Sequence, residues 1–117
     1  MRKRISSSRG LWMNEYTVEL SGDAQDDVVS IRNYIRDILL NPSAASKFIS
    51  DTEKAALSLE KFPYSHMVRP GSKLFGGLEK RQFFYRDNYV MFYVIMEETK
   101  LVRVIKVAYT PSDLSDE

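Results

Sequence analysis

The chain has 117 residues, 44% of them hydrophobic and 28% charged, with a formal net charge of +1 and no cysteine. That length suits one domain around a single core, and the composition is globular rather than disordered. Lack of cysteine excludes disulfides, thiolate metal sites and thiol nucleophiles, in keeping with a cytoplasmic location, and no apolar run approaches the roughly 18 residues of a membrane helix.

Residues 1–12 (MRKRISSSRGLW) read as a flexible basic leader without a signal-peptide core. The folded domain is expected over residues 13–113, followed by an acidic tail at 114–117. Tyr16–Leu20 (YTVEL) alternates apolar and polar residues, the period of a half-buried strand. Ser21 is a natural N-cap, and Asp23, Asp26 and Asp27 suit the positive end of a helix dipole. Ala24, Val28, Ile31, Ile35 and Ile38 then form one apolar stripe.

Asn41-Pro42 ends this helix and starts the next, with Asn41 as cap and Pro42 at the first helical position. Ala45, Phe48, Ile49, Thr52, Ala56, Leu59 and Phe62 give the second stripe, which Pro63 closes. So tight a junction predicts an antiparallel helical hairpin. Residues 63–77 hold two prolines and three glycines and read as a loop, with Gly76-Gly77 as a turn.

Three apolar runs follow, Glu79–Tyr85, Tyr89–Met96 and Leu101–Tyr109, separated by short polar turns. They predict an antiparallel three-stranded meander. The fold class is therefore α+β: a strand, a two-helix hairpin and a meander, giving a four-stranded sheet with helices on one face. The last run does not alternate cleanly, because Arg103 and Lys106 differ in parity. One of them is expected near an edge or a strand end.

Charge is unevenly spread. Ser21–Glu60 carries seven acids against four bases, whereas Lys61–Thr110 carries nine bases against four acids. The basic half is also the aromatic half, which suits an anionic partner as well as a plain solvated surface. A metal site is not expected, since His66 is the one histidine. Glu97-Glu98 reads as a solvated turn. What remains for chemistry is a set of cations and phenols: Lys80, Arg81, Arg86, Arg103, Lys106, Tyr85, Tyr89, Tyr93 and Tyr109. Such a set suits a metal-free ribonuclease, with a phenol moving the proton and cations stabilising the transition state. It equally suits core aromatics and a solvated rim. Phe83 and Tyr85 share one parity and Phe84 the other, so a sheet face away from the helices, with Arg81 at its edge, is the expected meeting place for a target.

Several strings together carry a family likeness: YTVELSGDAQDDV, IRNYIRDILLNPSAASKF, LEKFP, KRQFFYRDNYVMFYVI and VRVIKVAYTPSD. On these, Tyr16 to Asp113 resembles the RelE/ParE superfamily of bacterial toxins from type II toxin–antitoxin systems. The resemblance implies a growth inhibitor held in a hetero-oligomer by a cognate antitoxin that lays a helix and extended segments over it. Members resembling RelE cut mRNA on the ribosome, and those resembling ParE inhibit DNA gyrase without a nuclease site. No cofactor is implied.

Carried over position by position, Arg81 matches the family arginine ahead of NY-x-x-FY, with Lys80 beside it. Tyr109 falls close to the terminal His/Tyr position. If the protein is a ribonuclease, Arg81, Tyr109 and Lys80 are the expected catalytic residues. Arg81, Tyr85, Arg103, Lys106 and Lys73 are the expected target contacts. Val90, Ala108, Thr110 and Pro111 stand where cleaving members often carry basic residues, and the NPSAA junction leans towards the ParE branch. Gyrase inhibition is thus slightly favoured over mRNA cleavage, and a degenerate non-toxic member is a third possibility.

Overall fold

The computed structural model describes residues 3–4 (backbone only), 15–69, 77–86 and 88–110. Strand β1 is Lys3–Arg4, followed by β2 (Thr17–Leu20), α1 (Gly22–Asn33), α2 (Pro42–Ser58), β3 (Arg81–Tyr85), β4 (Tyr89–Met96) and β5 (Leu101–Tyr109). A π-helical turn, Tyr34–Ile38, extends α1. The expected hairpin, meander and four principal strands are present, and β1 adds a two-residue fifth strand on β2.

The caps are those that the side chains dictate. Ser21 Oγ accepts from Ala24 N–H, and Asn41 Oδ1 accepts from Ala44 N–H, both at 3.1 Å. These bonds satisfy helix donors that have no partner within the helix. The sheet order is β1-β2-β5-β4-β3, with β2 parallel to β5 and every other pair antiparallel.

Strand β5 outruns β2, whose last pair is Leu20 with Val104. Beyond that point the open edge of β5 is closed by α1 and its cap. Ser21 N–H reaches Val104 O at 2.9 Å, and Val107 N–H reaches Asp27 Oδ2 at 3.0 Å. The edge that a short strand leaves is thus satisfied by a helix.

The core lies between the hairpin and one sheet face. Val18, Ala24, Phe48, Ala56, Leu59, Met91, Tyr93, Val102 and Val104 are almost wholly buried there. Removing a ring such as Phe48 from this setting costs about 3–5 kcal/mol.

Two expectations are corrected and one is refined. Lys106 does lie on the stretch of β5 that outruns β2, at the sheet edge, but a bulge resolves its parity conflict with Arg103. Lys106 pairs with Phe92 and Val104 with Tyr93, so Ile105 is an extra residue and both cations take the outer face. Ile38 leaves the α1 stripe because the π-turn, with Leu39 N–H bonded to Tyr34 O, rotates it outwards. Phe62 lies past the end of α2, with a non-helical backbone (φ −129°, ψ 57°), and is exposed as well.

Candidate functional site

The residues expected to act together occupy separate surroundings. Register places Arg81 opposite Tyr93, on the helix-facing side, and Gln82 opposite Phe92, on the outer side. Arg81 Nη1 donates to His66 O at 2.7 Å, and the guanidinium stands 5.0 Å from the Tyr64 ring centre. Lys80 instead places its ammonium 5.7 Å from the Phe92 ring on the outer face. Arg81 therefore does not rim the face expected to meet a target. Parity puts it with Phe83 and Tyr85, and the outer aromatics are Phe84 and Phe92.

Tyr109 is remote from both cations. It pairs with Tyr89, four residues along β4 from the partner of Arg81, on the opposite flank of that strand. Strand rise and spacing put about 16 Å between the Arg81 and Tyr109 backbones. The Tyr109 ring packs 5.9 Å from Tyr34 and 5.6 Å from Tyr89, centre to centre.

Tyr85 is buried, so it offers no target contact. Its hydroxyl shares a 2.8 Å hydrogen bond with Thr52 Oγ1, and burial pushes its phenol far above the usual range. Tyr93 is likewise tied down, bonded to Pro63 O, and burial raises its phenol to about 12. Arg103 is 2.9 Å from Glu19, and Lys106 is 3.6 Å from Asp27. Lys73 lies outside the described residues.

Two arrangements are present that residue patterning does not disclose. On the outer face, Arg69 and Lys80 both stand over Phe92, at 5.1 and 5.7 Å, beside exposed Phe84 and Lys106. This is a cationic aromatic surface. Around the start of β2, Glu97 is solvent-exposed, as expected of a turn, but it is also a hydrogen-bonding hub. It accepts from Lys100 at 2.6 Å, Tyr64 at 2.8 Å and Tyr16 at 2.9 Å.

Those donors, Lys100 first, then Tyr64 and Tyr16, hold the Glu97 carboxyl down at about 2. The Tyr16 phenol is raised by burial and by Glu97, and the Tyr64 phenol by its bond to Glu97 and by burial. Both phenols are thus weaker acids than usual and ionise less readily. The His66 ring stacks 3.8 Å from Phe83, and burial lowers its pKa. The early YTVEL strand and the EETK turn are 81 residues apart, too far for local spacing to reveal their contact.

Among the described residues, no three His, Cys, Asp or Glu side chains gather to hold a metal ion, and no helix is long and apolar enough to cross a membrane. A sequence model of the family described as "ParE toxin of type II toxin-antitoxin system, parDE" matches residues 18–113. No curated protein matches the sequence.

Two solved structures are similar in fold. One is a chromosomal ParDE toxin–antitoxin system from P. aeruginosa, with TM-score 0.65 and 16% identity over 83% of this chain and 98% of that one. The other is the RelBE2 toxin–antitoxin complex from Mycobacterium tuberculosis, with TM-score 0.54 and 20% identity over 84% of this chain and 94% of that one.

Proposed function

The chain belongs to the ParE toxin family of type II toxin–antitoxin systems, and from that premise we propose that it arrests growth by binding DNA gyrase. It does so in the cytoplasm, without chemistry of its own, until a cognate antitoxin covers it. The observation that carries this reading is the dispersal of the expected nuclease residues. Lys80 and Arg81 turn to opposite sides of the sheet, and Tyr109 stands about 16 Å from Arg81 at the far end of β4.

Phosphoryl-transfer catalysis needs proton carrier and cation within reach of one phosphate, since positioning and charge stabilisation supply the rate. A binder needs only a stable, complementary surface. Support for the antitoxin partner comes from the family match and from the two similar structures, both of toxin–antitoxin systems.

One observation favours a second reading, cleavage of mRNA on the ribosome: the outer-face cations Arg69, Lys80 and Lys106 around Phe92 suit an anionic strand. A gyrase supercoiling assay beside a cell-free translation assay separates the two. Purified toxin is expected to stop supercoiling and leave translation running. The reverse pattern establishes the nuclease, and silence in both assays marks a degenerate member.

A further inference from the structure

We propose that the acidic segment 111–117 of this chain folds back onto the outer face of its own sheet and shields the cations there. The inference goes beyond the target read above and holds for either one. It gives an occupant to the cationic aromatic surface that the gyrase reading leaves without one.

That surface is built by alternation and one bulge. Lys106 lies opposite Phe92, and the extra residue Ile105 turns it outwards. Lys80 and Arg69 stand 5.7 and 5.1 Å from the Phe92 ring, and Phe84, 57% exposed, lies beside them. The Lys106 side chain is 58% exposed although Asp27 is 3.6 Å away. Among the described residues no carboxylate pairs with Lys80. Cations set around Phe84 and Phe92 are complemented by acids that flank an apolar side chain.

Three segments of some length lie outside the described residues. Residues 5–14 and 70–76 carry Arg9 and Lys73 and no acid. Residues 111–117 (PSDLSDE) carry Asp113, Asp116 and Glu117 around Leu114, and no base. The acidic segment also starts in the right place. Thr110 Oγ1 donates to Asn88 O at 3.1 Å, so the chain leaves β5 beside the β3–β4 turn, at the Phe84 end of the sheet. Pro111 has no N–H to offer a ladder, which favours departure from the strand.

Strand rise and spacing put Lys106 about 13 Å from Thr110 and Lys80 about 22 Å. Residues 111–117 span up to about 23 Å when extended, and the long lysine side chains add to that reach. The acids also act from within the same chain, at the high effective concentration of a short tether. Docked there, the segment competes with any phosphate chain for Lys80, Lys106 and Phe92.

Carbodiimide coupling of the full chain, read by mass spectrometry, tests the contact. Asp27 and Lys106, 3.6 Å apart, supply the internal positive control. Amides from Asp113, Asp116 or Glu117 to Lys80 or Lys106 are expected within the monomer. Their absence while Asp27 and Lys106 couple overturns the proposal. So does coupling confined to cross-linked dimers, which puts the segment on a second copy.

Shielding is read with a fluorescent oligothymidylate as the anionic probe. Two or three exposed ion pairs made within the chain leave the face open roughly a tenth of the time, which weakens apparent probe affinity about 10-fold. Neutralising the segment (Asp113→Asn, Asp116→Asn, Glu117→Gln) is therefore expected to tighten binding about 10-fold. Adding Lys80→Ala and Lys106→Ala is expected to abolish that gain. The same change of charge on the hairpin (Asp23→Asn, Asp26→Asn, Glu53→Gln) should tighten binding less than about 3-fold, the share due to net charge alone. Unchanged affinity in the neutralised segment, an equal gain from the hairpin variant, or a gain that survives loss of both lysines overturns the shield.

Discussion

Asp27, on the second turn of α1, accepts the backbone N–H of Val107 at 3.0 Å, across 80 residues of sequence. The bond stands where β5 has run past the end of β2 and would otherwise leave a donor without a strand partner. It joins helix, bulge and sheet edge at one oxygen. Asp27→Ala is expected to cost about 1–3 kcal/mol, the penalty of a buried donor left unmade. Lys106→Ala removes only the exposed partner of the same carboxylate and should shift stability by under about 1 kcal/mol. Urea titration of the two variants checks the contrast, and equal effects contradict it.

Tyr85 and Thr52 share a hydrogen bond in the core. Tyr85→Phe leaves the Thr52 hydroxyl buried without its partner, at a cost of about 1–3 kcal/mol. Adding Thr52→Val removes the stranded group, so the double variant should recover much of the loss. A double-mutant cycle in denaturant reads the coupling directly. Strict additivity would mean that the bond adds nothing.

Glu97 gives a pH signature. Its carboxyl falls from the ordinary 4.5 to about 2 in the folded protein. A depressed folded-state pKa contributes stability that is fully present above the unfolded value and is lost as pH drops through the folded one. Melting curves of wild type and Glu97→Gln should therefore differ above pH 4.5 and converge between 4.5 and about 2. A difference that persists undiminished at pH 2 would show that another group carries it.

Arg81 and Tyr109 separate the structural from the catalytic reading. Arg81→Ala deletes the bond to His66 O and should cost about 1.5–3 kcal/mol, typical of a hydrogen bond to a charged group. Its function should fall only as far as its folded fraction does. Tyr109→Phe keeps the ring contacts with Tyr34 and Tyr89 and should leave growth arrest unchanged. Loss of arrest in a well-folded Tyr109→Phe protein would return the phenol to catalysis.

Much of the fold is legible because it is local. Ser21 and Asn41 cap the helices that they announce, and the three late apolar runs become β3, β4 and β5 close to their expected bounds. What residue patterning hides is phase and distant choice. A single extra residue, Ile105, reconciles Arg103 with Lys106, and a wider helical turn displaces Ile38. Neither event has a strong composition signal. The candidate site was less legible still. Arg81, Lys80 and Tyr109 read as one group in sequence, but two-residue alternation and four steps of register disperse them. Two of the partners of Glu97, Tyr16 and Tyr64, lie 81 and 33 residues away in sequence, beyond the reach of any spacing rule.

The position of β5 also governs how the chain can be assembled. Thr17 pairs with Leu101 and Leu20 with Val104, so the earliest strand of the domain waits for the latest. Closing so long a loop comes before the contacts that reward it, which makes this step the slow one in folding. Until β5 is in place, β2 and β4 each present an unpaired edge, an invitation to join another chain. Synthesis that halts before Leu101 therefore yields a sticky fragment rather than a weaker toxin, and quality control meets it by its edges.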